Sequence, residues 1–323
     1  MDKKEKKEIL SFLRQKRIFD LVKFILFVLI FVNIFGFYQD YKEQEEIKRQ
    51  QEVLIAKKNE ARQQEISIAE KNEAQVKIES INPLSMVDNI LPTIPPLESL
   101  EKDFKELEEQ ETMVLEPKML FEYKAIYEEN NDLIGWLLIE HTNINYPVMQ
   151  TLEDEVYYLR RDFYGKKNDN GCLIMDTDSV VGVGISENDY KNGIKPSSNL
   201  IIHGHRMDSG EMFGKLNLYR DETYGMEHNI IYFDSLYEKR KYELIAVFYS
   251  QVFYEKQEVF KYYKFFQANT QEEFNDWYYN IKEMSLYDTG VTAKFGDEFI
   301  TLSCCSYHTE DGRFVVVGKR VYD

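Results

Sequence analysis

Eight short apolar or alternating runs between residues 134 and 321 limit most strongly how this chain can fold. Runs of this kind, rich in Tyr, Phe, Val and Ile and bounded by Gly, Asn or Asp, are typical of β-strands. The runs are IGWLLIE (134–140), NINYPVMQ (143–150), CLIMD (172–176), SNLIIHGH (198–205), NIIYFD (229–234), YELIAVFYS (242–250), EFITLSCC (298–305) and RFVVVGKRV (313–321). They predict a β-barrel or sandwich. One helix interrupts them at 271–284, where Thr270 can act as N-cap and Glu273 can complete a capping box.

An almost wholly apolar segment, FILFVLIFVNIFGFY, occupies residues 24–38. Extended back to residue 18, it has about the 20 residues that a helix needs to cross a bilayer. The preceding residues 1–17 are basic, and an excess of Lys and Arg marks the cytoplasmic side of a membrane segment. No small-residue cleavage site follows, which favours an uncleaved anchor over a signal peptide. We therefore expect a cytoplasmic tail at 1–17, a single transmembrane anchor at 18–38 and an extracellular body at the cell membrane.

A polar helical stalk is predicted after the anchor, at residues 39–97. Residues 40–80 are rich in Glu, Gln, Lys and Ala and contain no Gly or Pro. Their apolar residues fall at nearly heptad spacing, at Ile47, Leu54, Ala61, Ile68 and Val76. This pattern fits a solvated spacer or a weak coiled coil through which two copies self-associate. Residues 82–97 hold four of the seven prolines and form the linker that ends the stalk, so the folded domain is expected at 98–323.

Charge and cysteine content exclude several classes of protein. The chain carries a net charge of -17, and residues 1–17 are net positive, so the rest of the chain is acidic and would be repelled by nucleic acid. Three cysteines, two of them adjacent, do not form a disulfide framework. No CxxC pair is present, and only His203 and His205 are spaced closely among the histidines, so neither a metal nor another cofactor is predicted.

Two stretches carry residues suited to chemistry. In TLSCCSYHTEDGRFVVVGKRV (301–321), a strand delivers Cys305 to its end, a polar loop follows, and the next strand begins with Arg313. In the second stretch, a hydrophobic strand leads into His205 through Gly204. A cysteine needs a neighbouring cation or base to act as a thiolate, and acyl transfer also needs a donor that stabilises an oxyanion. Cysteine, histidine and arginine therefore make a minimal set for acyl transfer.

The same residues resemble the motifs of sortases. TLSCC (301–305) resembles the TLxTC signature with Cys305 in the nucleophile position, Arg313 follows at the spacing of the sortase arginine, and His205 matches the sortase histidine. Other segments are similar to class B sortases in particular, in the same order along the chain. These are NNDLIGWLLIEHTNINYPVMQ (130–150), YYLRRDFYG (157–165), SGEMFGKLNLY (209–219), HNIIYFD (228–234) and SLYDTGV (285–291). The resemblance covers about residues 115–323 and does not extend to the stalk.

This resemblance implies a fold and a reaction. The fold would be a closed eight-stranded β-barrel with N-terminal helices and an inserted helix at 271–284. The enzyme would be a membrane-anchored cysteine transpeptidase of a Gram-positive bacterium, with Cys305 as nucleophile, His205 as proton donor and acceptor, and Arg313 as oxyanion stabiliser. Its partners would be the sorting-signal peptide of a surface protein and an amine of a cell-wall precursor or a pilin.

The resemblance also implies contacts with the substrate. Ser303 matches a position implicated in substrate contact, and Leu159 and Tyr287 are candidates for the wall of the peptide groove. Cys304 departs from the family pattern, because threonine usually precedes the nucleophile. Two alternatives stay open on the residues alone: a membrane-bound cysteine endopeptidase that hydrolyses its peptide, and a non-catalytic surface protein on a stalk.

Overall fold

The computed structural model describes residues 3–80 and 116–322. These residues belong to two compact units, residues 1–50 and 51–323. Helix α1 (Lys3–Ser80) contains a stretch that is long and apolar enough to cross a membrane, with a mean hydropathy of 2.4 and none of it buried. The helix thus contains a candidate membrane span where the sequence predicts the anchor. The predicted linker at 82–97 and the predicted start of the folded domain at residue 98 lie outside the described residues.

The second unit contains a closed barrel, which confirms the predicted fold. Its eight strands follow the order β1-β2-β3-β4-β7-β8-β6-β5 around the barrel. They are β1 (Leu133–Leu138), β2 (Asn145–Met149), β3 (Leu173–Met175), β4 (Asn199–Gly204), β5 (Ile230–Ser235), β6 (Lys239–Gln251), β7 (Phe299–Cys305) and β8 (Gly312–Val321). Closure leaves no unpaired strand edge. Most side chains of strands β7 and β8 are buried.

Three further α-helices accompany the barrel among the described residues: α2 (Phe121–Glu129), α3 (Glu222–Glu227) and α4 (Gln271–Met284). Helix α4 has the predicted bounds, and its N-cap is Thr270, whose hydroxyl accepts a hydrogen bond from the Glu273 amide at 3.2 Å. The Glu273 carboxylate accepts from the amide of Asn269 at 2.7 Å, one residue earlier than an ideal capping box. The helix buries Phe274 and Trp277 against the outer face of the barrel, beside Phe299 of β7.

Part of the segment predicted as stalk packs against the barrel. Leu54 is 1% exposed and shares a hydrophobic cluster with Tyr123 of α2 and Trp136 of β1. One turn further along, the Lys58 ammonium lies 4.8 Å from the ring centre of Tyr123, 5.0 Å from that of Trp136 and 3.5 Å from the Asp234 carboxylate. The heptad position at Leu54 is therefore covered by the barrel of its own chain.

Candidate active site

Three neighbouring strands bring the three predicted catalytic residues to one rim of the barrel. Strand β4 runs parallel to β7 and pairs Gly204 with Cys304, so the next residues, His205 and Cys305, follow at the same level. On the other side of β7, the antiparallel strand β8 pairs Cys305 directly with Arg313. Adjacent strands lie about 4.8 Å apart. The backbone register thus places a thiol between an imidazole and a guanidinium.

The two adjacent cysteines differ in accessibility. Cys304 is 2% exposed, whereas Cys305 is exposed at the end of β7, because successive side chains of a strand point to opposite faces. Burial raises the pKa of Cys304 to about 12, and the neighbouring Cys305 adds to the rise. Cys304 is therefore a neutral, covered thiol near neutral pH. The third thiol, Cys172, is also buried, and its burial raises its pKa further still.

His205 is oriented by the backbone of another segment. Its Nε2 lies 2.7 Å from the carbonyl oxygen of Leu159, in the short helical turn Tyr157–Arg160. A carbonyl oxygen only accepts hydrogen bonds, so Nε2 carries the proton in this contact and Nδ1 is the nitrogen left to exchange one. The sequence predicted the Leu159 side chain as groove wall. That side chain is 37% exposed, and the backbone of the residue contacts the histidine.

Arg313 is half-buried and held by its own loop. Its Nη1 donates to the carbonyl oxygens of Asp311 at 3.2 Å and Gly312 at 3.0 Å. Both of these hydrogen bonds leave from one nitrogen, and a guanidinium has five N–H donors in a planar fork. The remaining donors are suited to an oxyanion that forms on a substrate bound at Cys305.

Ser303 and Tyr287 are placed differently from the catalytic residues. Ser303 is 1% exposed, and its hydroxyl lies 2.7 Å from the hydroxyl of Tyr262, a buried residue of the β6–α4 connection. Tyr287 donates a hydrogen bond to the Tyr219 carbonyl oxygen at 2.8 Å and packs against Gly225. Neither residue has a described hydrogen bond or ring contact with Cys305, His205 or Arg313. The structure thus brings Cys305, His205, Arg313 and Leu159 together, while Ser303 is covered by Tyr262 and Tyr287 packs elsewhere.

His203 forms a second polar cluster on β4. Its Nε2 lies 3.2 Å from Asp176 Oδ2, and the Glu155 carboxylate lies within 4.8 Å of both groups. Burial raises the pKa of Glu155, and the negative charge of Asp176 raises it further. Two carboxylates and a histidine at this spacing have the geometry of a cation site, although exposed acidic groups often gather without one. His203 therefore pairs with an aspartate that lies 27 residues away in the chain and that no local sequence pattern indicates.

Sequence reasoning did not find three residues beside the site. Tyr262 covers Ser303, and Arg206 lies with its guanidinium carbon 4.8 Å from the ring centre of Tyr307. Arg206 directly follows His205, and Tyr307 is two residues after Cys305, so proximity in sequence could have indicated both. Tyr262 is 41 residues from Ser303, and no local pattern links them.

Comparison with known proteins yields a consistent set of relatives. No family model matches the chain. Sortase B of Listeria monocytogenes is 30% identical over 203 residues, which cover 62% of this chain and 74% of that protein. A crystal structure of Bacillus anthracis sortase B in complex with AAEK1 is 29% identical with a TM-score of 0.51, over 71% of this chain and all of that one. The Staphylococcus aureus sortase B–substrate complex is 23% identical with a TM-score of 0.52, over 69% and 94% of the two chains, and it supports the fold alone.

Proposed function

Because this chain belongs to the class B sortases, we propose that it is a membrane-anchored transpeptidase that cleaves a surface-protein sorting signal through a Cys305 thioester. The single observation that carries the proposal is the strand register, which aligns Cys305 with Arg313 on β8 and brings it level with His205 after β4. Cys305 is also the exposed thiol among three cysteines. The proposed acceptor is an amine of a cell-wall precursor or a pilin.

The first half of the reaction forms the acyl-enzyme. The Cys305 thiolate attacks the carbonyl carbon of the scissile peptide bond, and the carbonyl oxygen becomes an oxyanion beside Arg313. Collapse of this intermediate breaks the C–N bond, and protonated His205 gives a proton to the departing amine. The products are a thioester between Cys305 and the amino-terminal part of the substrate, the C-terminal part with a new free amino group, and neutral His205.

The second half transfers the acyl group. Neutral His205 removes a proton from the incoming amine, whose nitrogen attacks the thioester carbonyl. A second oxyanion forms beside Arg313. Its collapse breaks the C–S bond, which releases the Cys305 thiolate and leaves a new amide bond in the product. The Leu159 carbonyl supports both halves of the cycle, because it holds the Nε2–H of His205 and leaves Nδ1 for proton exchange.

Product analysis distinguishes transfer from hydrolysis. The full-length protein in detergent is incubated with a panel of sorting-signal peptides, with and without triglycine and other amines, and the products are identified by mass spectrometry. We expect a product whose mass includes the added amine, and less free acid as the amine concentration rises. Free acid alone with every amine would instead identify a cysteine endopeptidase, and an intact panel would contradict both activities.

The apolar helix supports a single-pass topology with the N-terminus in the cytoplasm. The basic residues that precede the candidate span favour this orientation. We expect protease added to intact, wall-stripped cells to degrade residues 116–323 and to spare an epitope tag fused before residue 1. Protection of the barrel, with loss of the tag, would reverse the proposed topology.

A further inference from the structure

One side-chain contact joins the two loops that carry the catalytic thiol and imidazole. The guanidinium carbon of Arg206 lies 4.8 Å from the centre of the Tyr307 ring. Arg206 directly follows His205 after β4, and Tyr307 is two residues beyond Cys305 in the β7–β8 loop. A cation at this distance from an aromatic ring is attracted by the negative face of the ring. The contact therefore joins the two loops just beyond Gly204 and Cys304, the last backbone pair between β4 and β7.

The loop after β4 is fixed to itself. Arg206 forms an antiparallel bridge with Met212, and the Phe213 amide donates to the His205 carbonyl oxygen at 2.9 Å. These bonds make residues 205–213 a closed turn that carries the His205 imidazole and the Arg206 guanidinium together. A displacement of Arg206 therefore also displaces His205, because the two residues are adjacent in this turn.

The β7–β8 loop is closed in a similar way. The Ser306 amide donates to the Gly312 carbonyl oxygen at 2.9 Å, and His308 Nδ1 lies 3.0 Å from the Ser306 hydroxyl. The His308 ring packs against Tyr249 of β6 with centres 4.8 Å apart. This loop is therefore anchored to β6 through His308, and the adjacent Tyr307 contacts Arg206.

The Arg206–Tyr307 contact lies outside the hydrophobic core. Tyr307 is 76% exposed, so its ring is not held in place by burial. The positive charge of Arg206 also acts on Cys304, because it opposes the effect of burial on the pKa of that thiol. Arg206 is thus a second guanidinium near Cys304, in contact with an exposed ring.

We propose that Arg206 and Tyr307 form a clasp that holds the Cys305 loop against the His205 loop, and that both are positioning residues for thioester formation. The proposal rests on the proposed roles of Cys305 and His205. The Leu159 carbonyl oxygen holds the imidazole of His205, and the clasp holds the next residue, Arg206. Small displacements of reacting groups lower rates strongly, so loss of the clasp slows acylation without unfolding the barrel.

Matched variants test the clasp in the full-length protein in detergent. Arg206→Ala and Tyr307→Ala each remove one side of it, and Tyr307→Phe keeps the ring. Tyr279→Ala removes a different exposed tyrosine, on α4, as a control. Two quantities are measured: the rate of thioacyl-enzyme formation, and the pH midpoint of Cys305 alkylation by iodoacetamide. The titratable or charged groups near Cys305 are His205 and Arg206 after β4, Arg313 on β8, Cys304 on β7, and His308, Glu310 and Asp311 in the loop.

We expect Arg206→Ala and Tyr307→Ala each to slow acylation about two- to fivefold, the worth of one exposed cation–π contact. The double variant should be no slower than the slower single variant, because both changes break one contact. Both single variants should shift the alkylation midpoint by similar amounts, because each removes the contact between the loops that carry Cys305 and His205. Tyr307→Phe and Tyr279→Ala should match the unmodified protein.

Three results would overturn the clasp. Additive losses in the double variant would show that the residues act independently. A shifted pH midpoint of Cys305 alkylation in Arg206→Ala but not in Tyr307→Ala would assign the effect to the charge of Arg206, because Tyr307→Ala keeps the arginine. An equal loss in Tyr279→Ala would show a general surface effect. Failure of the proposed function is distinguishable, because the unmodified protein would then form no thioester with any peptide while the alkylation midpoints still shifted.

Discussion

Replacement of Cys305 by alanine is expected to reduce peptide cleavage and transfer to below detection. The thioester route needs a sulfur at this position, and no other described thiol is accessible there: Cys304 is 2% exposed and Cys172 is buried. Loss of the nucleophile removes the covalent route entirely instead of slowing one of its steps. The measurement is peptide turnover by the full-length variant, with its unfolding temperature recorded beside that of the unmodified protein.

Cys304→Ala is the matched control for this prediction. The side chain of Cys304 packs in a covered position and its pKa is raised to about 12, so it supplies no thiolate near neutral pH. We expect this variant to lose some stability from the small cavity and to keep most of its turnover. An active Cys305→Ala variant beside an inactive, folded Cys304→Ala variant would show that Cys304 is the nucleophile and Cys305 is not.

Replacement of Arg313 by alanine is expected to slow thioester formation about 10²- to 10³-fold, the loss typical for removal of one oxyanion donor. Arg313 faces Cys305 across the β7–β8 pair, and its Nη1 is held by the carbonyl oxygens of Asp311 and Gly312. Arg313→Lys should recover only part of the rate, because an ammonium keeps the charge but cannot reproduce the planar fork. Single-turnover kinetics with a sorting-signal peptide measure the acylation step directly.

The control for Arg313 is Arg220→Ala, which removes an exposed arginine from the short helical turn Leu216–Arg220. Its turnover and unfolding temperature should equal those of the unmodified protein. A loss in Arg313→Ala confined to KM would assign the residue to substrate binding alone. A loss that follows a large fall in unfolding temperature would make its role structural.

Local patterns were sufficient to predict most of the fold. Each of the eight predicted runs overlaps one strand of the barrel, because period and composition report whether a short segment can lie on a half-buried sheet. Helix α4 has its predicted bounds, since Thr270 caps it and its apolar residues repeat at helical spacing. The pairing of β4 with β7 was beyond such reasoning, because this parallel pair joins segments about 100 residues apart.

The candidate site was predictable only in part for the same reason. Strand alternation correctly separates Cys304 from Cys305, but it does not show that Tyr262 covers Ser303 from a distant connection. Heptad spacing indicates that Leu54 lies on an apolar face, yet it does not show whether another chain or the barrel covers that face. Tyr287 lies in a family-like segment, and its contact with Tyr219 depends on tertiary packing that the segment does not encode by itself.

The identity of the acylated residue tests the central claim most directly. The full-length protein is mixed with a sorting-signal peptide, quenched in acid during turnover, digested, and analysed by mass spectrometry for the peptide that carries the acyl group. The structure predicts the thioester on Cys305, with Cys304 unmodified, because Cys305 is the exposed thiol between His205 and Arg313 on the rim. An acyl group on Cys304, or turnover that leaves both thiols free throughout, would contradict the account.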